Sequence, residues 1–441
     1  MQLNLESLDV KAENLVFTVS EQYQNSHTSG AVTFEDQSAA SFLNQALLDA
    51  VQSGASDIHF EPYEEMFRIR ARVDGVMGEI TRLPRAFGNQ ILVRLKVIAG
   101  LDISAHRETQ SGRFRMMLDE KNGIDFRASI TPTLHGETLV LRLLHLPTEI
   151  LELEVLGFTE DQIAQILAHA SRQQGMILVT GPTGSGKTVT LYTLLKKLNQ
   201  QHRSIYTVED PVEINLPGVN QVNISERQGV TFGNIARTIL RQDPDVIMLG
   251  EMRDQETVDT AIKASHTGHL VLSTLHANTA PKAIPRLQNL GADLYNISSS
   301  LSLVIGQRLL RCLDPTQREP YSYSEERLLA AGFHKDELAG LMLYRAKPPA
   351  GNATGYKGRV GIFQVMSVTG ALVGLIAQGA SELEVEQYLQ NMGIKDLRRA
   401  ALEKVKAGIT DLEELERVLG LVDIPLTKVK IETSQVFVAG A

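Results

Sequence analysis

The chain has 441 residues, 43% of them hydrophobic, which is enough for two or three domains with buried cores. Its formal net charge of −9 argues against a general nucleic-acid binder, because a surface that neutralises phosphates needs clustered Lys and Arg. No apolar run approaches the ~18 residues of a membrane span, and no signal-peptide pattern opens the chain, so we expect a cytoplasmic protein. The single cysteine, Cys312, excludes an internal disulfide and any multi-cysteine metal site.

The N-terminal third of the chain predicts a small α+β domain. Apolar residues with helical spacing run from Ser41 to a stop at Gly54. The segment MFRIRARVDGVMGEI then alternates strictly between apolar and polar residues, and its Asp74-Gly75 pair is a strong hairpin-turn signal. Further strands are predicted at 112–118, 124–130 and 138–144.

A glycine-rich stretch carries the strongest signal in the sequence. The segment ILVTGPTGSGKTVTLYTLLKKL places an apolar strand before the phosphate-loop pattern and a helix after it, which is the context that the pattern requires. In such a loop the backbone N–H groups surround the β-phosphate, the lysine contacts the β- and γ-phosphates, and the threonine hydroxyl binds Mg²⁺. The predicted nucleotide-binding residues are Gly181, Pro182, Thr183, Gly184, Ser185, Gly186, Lys187 and Thr188.

Three more strands follow, and each is bordered by residues that can carry chemistry. Glu209 and Asp210 come directly after the first, and Glu251 lies at the tip of the second, where an ordinary Mg²⁺-supporting strand would end in Asp. His269 and His276 stand at the two ends of the third. Strands that alternate with helices predict a parallel sheet with crossover helices, a RecA-like nucleotide-binding core. Open α/β sheets bind ligands at such strand ends.

Together these motifs resemble the ATPases of type II secretion and type IV pilus assembly. The resemblance extends from about Ser41 to Gly420 and includes GASDIHFEP, RVDGVM, LKVIAGLDISAHRETQSGRF, RASITPTLHGETLVLRLL, GPTGSGKT, LRQDPDVIMLGEMRD and GRVGIFQVM. It implies an α/β protein with a RecA-like P-loop NTPase core and a smaller α+β, PAS-like N-terminal domain.

The predicted domain boundaries follow from these motifs and from shifts in composition. They are a loosely ordered lead-in at 1–36, the α+β domain at 37–146, a linker at 147–156, the ATPase domain at 157–420 and a tail at 421–441. The ATPase domain includes an irregular insert at about 311–358 and C-terminal helices at 367–420.

Two features depart from the family. Its members usually carry two CxxC pairs that bind zinc, but the matching places here hold Asp314, Gln317, Pro348 and Gly351. Four-cysteine zinc ligation is therefore impossible, and the insert is expected either to keep its shape by packing or to be looser. Relatives also commonly have a further N-terminal domain that docks on an inner-membrane assembly protein, whereas only about forty residues precede the first family-like helix here, so we expect that domain to be missing.

The resemblance implies roles for the acidic and histidine residues. Glu209 is the preferred general base for the attacking water, and Glu251 is expected to hold Mg²⁺, with the exchange of these two roles left open. His269 and His276 are expected to sense the γ-phosphate or couple subunits. Arg253 is expected to contact the nucleotide, although pairing with an acid such as Asp254 is equally compatible with the sequence.

Arginines of the first domain are expected to complete the site. Arg127 and Arg142 lie in family-like strands, and the resemblance implies that they reach the nucleotide phosphates when this domain closes over them, as arginine fingers do. Arg68, Arg70 and Arg72 are interpreted most simply as a solvated strand face.

The sequence therefore predicts a Mg²⁺-dependent ATPase motor of type IV pilus assembly or type II secretion, which couples ATP hydrolysis to pilin or pseudopilin assembly. The resemblance implies a hexameric ring that associates with the inner membrane through its platform proteins and binds no nucleic acid. Alternatives are a nucleic-acid translocase or helicase on the same core, and a scaffold that does not hydrolyse ATP.

Elemental analysis of the purified chain is expected to show no stoichiometric zinc. The candidate ligands near the insert, Cys312, Asp314 and His334, are too few and too scattered in sequence to compose a tetrahedral site. One tightly held zinc per chain would contradict this expectation.

Overall fold

A computed structural model describes residues 15–19, 37–119, 122–144, 151–224, 232–348 and 354–421. They form two compact units, one of residues up to Ile177 together with Lys187–Thr274, the other of Leu178–Gly186 together with the chain from Leu275 onwards. None of the helices in these ranges is long and apolar enough to cross a membrane. Most of the predicted lead-in and all of the predicted tail beyond Leu421 lie outside the described residues.

The N-terminal part of the first unit is a seven-stranded antiparallel sheet with two helices. Its strand order is β1-β5-β6-β7-β2-β3-β4, and its core is formed by inward-facing aromatic and aliphatic residues such as Phe60, Phe114 and Phe126. The elements are β1 (Val16–Val19), α1 (Gln37–Gln52), β2 (Ala55–Pro62), β3 (Met66–Val73), β4 (Val76–Pro84), α2 (Arg85–Ile98), β5 (Gln110–Met117), β6 (Gly123–Thr133) and β7 (Gly136–Leu144).

The β3–β4 hairpin forms as its sequence predicts. Asp74 and Gly75 both have positive φ, at 48° and 81°, which is the backbone that a two-residue type I′ turn requires. The alternate residues of β3, including Phe67 and Ile69, are fully buried.

The arginine face of β3 is partly exposed and also paired. Glu61 on the neighbouring β2 accepts from Arg68 at 3.2 Å and from Arg70 at 2.6 Å. Strand alternation alone does not show which residues the adjacent strand places opposite, so the sequence did not predict these ion pairs.

The predicted lead-in contains a strand. Val16–Val19 pairs with β5 in antiparallel register, Val16 opposite Met117 and Val19 opposite Phe114. A four-residue strand is too short to show an alternating pattern in the sequence. Its pairing partner, β5, lies about a hundred residues further along the chain.

The second sheet has the strand order β10-β9-β11-β12-β8-β13-β16. Strands β9, β10, β11 and β12 run parallel to one another, whereas β13 and β16 form a long antiparallel pair. The elements are α3 (Leu153–Leu156), α4 (Glu160–Ala170), β8 (Gly175–Thr180), α5 (Lys187–Leu198), β9 (Ile205–Glu209), β10 (Asn220–Asn223), α6 (Phe232–Ile239), β11 (Val246–Leu249), α7 (Gln255–His266), β12 (Leu270–Leu275), α8 (Ala283–Asn289), α9 (Leu294–Ser300), β13 (Leu301–Leu313) and β16 (Tyr356–Ser367).

The predicted irregular insert has regular structure. It contains the antiparallel strand pair β14–β15 with a helix between the two strands, and buried residues such as Phe333 and Leu343 pack against the C-terminal helices. The elements are β14 (Arg318–Tyr321), α10 (Glu325–Ala331), β15 (Leu343–Ala346), α11 (Ala371–Ala377), α12 (Glu382–Asn391), α13 (Leu397–Lys406) and α14 (Leu412–Leu419).

A backbone hydrogen bond joins two of the segments at which the resemblance led us to look for cysteines. The amide of Lys347, next to Pro348, donates to the Gln317 carbonyl at 2.8 Å, so the two segments are adjacent. The Asp314 carboxylate instead accepts from the amide and hydroxyl of Thr316, at 2.9 and 2.6 Å. The position of Gly351 lies outside the described residues.

A buried carboxylate connects the C-terminal helices to β13. Glu414 is fully buried and accepts from the backbone amide and Nε of Arg311, both at 2.9 Å, and from two guanidinium nitrogens of Arg417, both at 2.7 Å. Burial opposes ionisation, but the hydrogen bonds from Arg417 and Arg311 hold the pKa of Glu414 below its usual range.

Glu414→Gln should destabilise the second unit by about 3 kcal/mol, because it leaves two arginines without their buried carboxylate. Since the native pKa is lowered, this stabilisation is present at neutral pH and is lost as the pH falls through the range below the ordinary value. Urea unfolding measures the change, with the exposed Glu403→Gln as the control. Equal stability of the two variants at pH 7 would contradict the assignment.

Candidate nucleotide-binding site

The loop Gly181–Gly186 has the backbone of an anion-binding turn. Gly184 and Gly186 have φ of 78° and 85°, a region that favours glycine. A Cβ at Gly181 would lie 2.4 Å from Ser185 Oγ and 2.6 Å from the Gln307 carbonyl oxygen, so no larger residue fits. The loop is held from outside by Gln307, whose Nε2 donates to the Ser185 carbonyl at 2.8 Å.

Two features of the phosphate loop suit an anionic ligand. Ser185 Oγ is buried and has no hydrogen-bond partner among the described residues. Lys187 is 9% exposed at the first position of α5, where helix N–H groups and the helix dipole favour negative charge, and Thr188 follows it on the exposed side. The residues present therefore fit a nucleotide phosphate, and Thr188 supplies the hydroxyl that Mg²⁺ would need. No group of three or more His, Cys, Asp or Glu in the described ranges is arranged to hold a metal ion.

Glu209, at the end of β9, is almost fully buried and its carboxylate is occupied. Its Oε1 accepts from Thr207 Oγ1 at 2.6 Å and from Gln221 Nε2 at 3.2 Å, and its Oε2 accepts a short hydrogen bond from the Tyr192 hydroxyl. An attacking water would therefore have to compete with three donors for a hydrogen bond to this carboxylate.

Glu251 and Asp210, at the tips of neighbouring strands, are joined by Arg253. The Arg253 guanidinium donates to Glu251 Oε2 at 2.9 Å and to Asp210 Oδ2 at 3.3 Å. The pairing with Asp254 that the sequence left open does not form, because the Asp254 carboxylate caps α7 through the Thr257 amide at 2.8 Å.

The two histidines lie at opposite ends of β12. His276 follows the strand and is exposed at its carboxyl end, the edge at which β8 also leads into the phosphate loop. His269 precedes the strand, and its Nδ1 lies 3.0 Å from the Ala264 carbonyl at the end of α7. Seven residues of extended chain separate the two by roughly 23 Å. A role for His269 at the γ-phosphate is therefore not supported by its position.

An arginine row crosses the first sheet. Arg113, Arg127 and Arg142 stand directly opposite one another on β5, β6 and β7, and Asp57 on β2 is next in register. Arg142 Nε donates to Asp57 Oδ1 at 3.0 Å. Within the described ranges, neither Arg113 nor Arg127 has a carboxylate at ion-pair distance, and the buried Arg113 Nε has no hydrogen-bond partner. Adjacent like charges repel, so this row is suited to an anion.

The end of β9 and the residues after it, 209–213, form an acidic segment that brings Glu213 near this row. Burial raises the pKa of the Glu213 carboxyl, while the charges of Arg142, Arg113 and Arg127 act to lower it. The first unit therefore brings the two predicted arginines toward the acidic segment.

Sequence reasoning missed four residues of this region: Tyr192, Glu213, Arg113 and Gln307. Arg113 lies inside the family-like segment LKVIAGLDISAHRETQSGRF, and its alternation with Phe114 fits the strand predicted at 112–118. Glu213 follows Glu209 by four residues, so it belongs to the same acidic stretch. No sequence signal marks Tyr192 or Gln307, because their roles depend on partners in distant segments.

The sequence also matches known proteins. Residues 33–417 match the family described as "Type II/IV secretion system protein". The chain is 44% identical over 416 residues to "Type IV pilus assembly ATPase PilB" of Pseudomonas aeruginosa, covering 94% of this chain and 72% of that relative. It is 43% identical over 385 residues to "Type II secretion system ATPase E" of Vibrio cholerae, covering 87% and 76%.

Solved structures show the same fold. The pilus retraction motor PilT with bound ADP aligns with a TM-score of 0.57 at 27% identity, over 85% of this chain and 95% of that one. The ATPase DotB of Legionella pneumophila aligns with a TM-score of 0.64 at 20% identity, over 85% and 94%.

Arg127→Thr should stabilise the first sheet, by about 0.5 kcal/mol, because it removes the central member of three adjacent like charges. Slower amide hydrogen exchange in peptides from β5, β6 and β7 would measure it. Arg115→Thr on β5 is the matched control, since Arg115 pairs with Asp125 at 2.8 Å and its loss should speed exchange slightly. Faster exchange in Arg127→Thr would contradict the repulsion argument.

Proposed function

The chain belongs to the type II/IV secretion system protein family, and from this premise we propose that it is an ATP-hydrolysing motor of type IV pilus assembly or type II secretion. The observation that carries the proposal is the phosphate loop, with its glycine backbone, the buried unpartnered Ser185 hydroxyl and the buried Lys187. ATP hydrolysis would drive pilin or pseudopilin assembly at the inner membrane.

Phosphate binding is the task of the loop and the start of α5. Backbone N–H groups of the loop that follows Pro182 surround the β-phosphate, and Lys187 contacts the β- and γ-phosphates. Thr188 would hold Mg²⁺, which when bound neutralises charge on the phosphate oxygens. His276, at the same edge of the sheet, remains the candidate γ-phosphate sensor.

Of the two candidate bases, we assign the role to Glu251. The Glu209 carboxylate is occupied by three donors, whereas Glu251 lies at a strand tip, where Arg253 Nε donates to its Oε2 at 2.9 Å. Arg253 can orient Glu251 toward the attacking water and release it when nucleotide binds. This assignment departs from the expectation from sequence, which gave the general base to Glu209.

Arginines of the first sheet supply the remaining positive charge. Arg127 and Arg142, with Arg113 beside them, stabilise charge that develops on the transferred phosphoryl group. Their like-charge row is costly without an anion, and a phosphate would compensate it.

Assembly with partners is proposed from the family. We propose a hexameric ring that acts on inner-membrane platform proteins from the cytoplasmic side. We also propose that the first domain, at 37–146, has a PAS-like architecture and that the ATPase domain extends over 157–420.

Lys187→Ala should abolish ATP hydrolysis, because it removes the cation that bridges the β- and γ-phosphates. The matched control is Lys196→Ala on the exposed side of the same helix, where Lys196 pairs with Glu152 at 3.0 Å. Phosphate release and thermal unfolding would be measured for both. Hydrolysis near the wild-type rate in folded Lys187→Ala would rule out this loop as the active site, and no hydrolysis in the wild-type chain would leave only a scaffold.

A further inference from the structure

Tyr192, five residues after Lys187 on α5, connects the phosphate-binding helix to the acidic segment. Its side chain is fully buried. The hydroxyl donates to Glu209 Oε2 and accepts from the backbone amides of Glu213 at 3.0 Å and Ile214 at 3.3 Å. Five helical residues span only about 7.5 Å, so the lysine and the tyrosine move together with one helix.

The hydroxyl is used to its full capacity. A phenol has one hydrogen to donate and two lone pairs that accept, and all three are engaged here. Burial, together with the nearby Glu209 carboxylate, raises the pKa of Tyr192 far above its ordinary value, so the hydroxyl keeps its proton. Its direction of donation is therefore fixed toward Glu209.

Gln221 on β10 reinforces the same arrangement from the other side. Its Nε2 donates to Glu209 Oε1 at 3.2 Å and to the Ile214 carbonyl at 2.8 Å, and its Oε1 accepts from the Leu216 amide at 2.7 Å. Tyr192 and Gln221 thus fasten the backbone at 213–214 to the Glu209 carboxylate. Loss of either partner would leave buried polar groups unsatisfied.

This backbone determines where the Glu213 side chain can lie. Glu213 is the carboxylate on which the charges of Arg113, Arg127 and Arg142 act, and all of these residues belong to the first unit. A fixed Glu213 would keep its carboxylate within the influence of these arginines, and a loosened one would not.

We propose that Tyr192 is a positioning residue for ATP hydrolysis: its hydroxyl fastens Glu209 to the 213–214 backbone and thereby holds Glu213 opposite the arginine row. The inference rests on the proposed ATPase function. In this role Tyr192 does not contact a phosphate and acts through Glu213.

The test compares Tyr192→Phe with Tyr206→Phe, a half-buried tyrosine on β9 itself. Tyr192→Phe should lower kcat for ATP about tenfold or more while KM stays within about twofold, because phosphate binding by the loop is intact. Amide exchange at 213–214 should speed up in the same variant. Tyr206→Phe should change neither quantity.

A double mutant separates positioning from general destabilisation. If Tyr192 acts through Glu213, the variant with both Tyr192→Phe and Glu213→Gln should lose no more kcat than Glu213→Gln alone. Additive losses would overturn the inference, as would a wild-type kcat in folded Tyr192→Phe. If Tyr192→Phe does not fold, Gln221→Met replaces it, with the same split between kcat and KM expected. Absence of hydrolysis in the wild-type chain overturns the ATPase function and this inference together, whereas a wild-type rate in Tyr192→Phe overturns only the latter.

Discussion

The close approach of backbone N–H groups to a phosphate is the constraint on which the rest of this structure depends. It requires glycines at positive φ, excludes a Cβ at Gly181, and needs a rigid strand before the loop. β8 provides that strand, because Met176 to Val179 are completely buried. Gln307 then fixes the loop from β13 with a hydrogen bond to the Ser185 carbonyl, so the loop geometry is enforced by neighbours and not only by its own sequence.

A binding site for a highly charged anion also needs cations that are not already neutralised. We propose that the row Arg113, Arg127 and Arg142 meets this need, at the expense of repulsion between adjacent strands. Asp57 compensates only the Arg142 end of the row, and Glu213 acts on all three at longer range. Glu213 therefore limits the repulsion among the three arginines. Because burial raises the pKa of Glu213, its carboxyl competes for the arginines less strongly than a phosphate that carries more charge.

Features encoded locally were predictable from sequence, and features that depend on distant pairing were not. The β3–β4 hairpin and the phosphate loop each lie within a short window, where turn residues and periodicity act directly. The hydrogen bond from the Glu213 amide to the Tyr192 hydroxyl joins two segments about twenty residues apart, so it forms only in the folded chain. His269 and His276 border the same strand, β12, but only His276 lies at the carboxyl end, where β8 leads into the phosphate loop. The motif alone does not distinguish the two ends.

The insert keeps its shape through hydrogen bonds that reach the C-terminal helices. These restraints are distributed over several positions. The Asp411 carboxylate accepts from the Ala346 amide at 3.1 Å and from the Tyr356 hydroxyl at 2.7 Å, which joins β15 and β16 to the start of α14. Such a network needs each partner to be satisfied, because a buried carboxylate with one missing donor is destabilising. The insert is therefore coupled to the C-terminal helices, since its hydrogen bonds end on the first residue before α14.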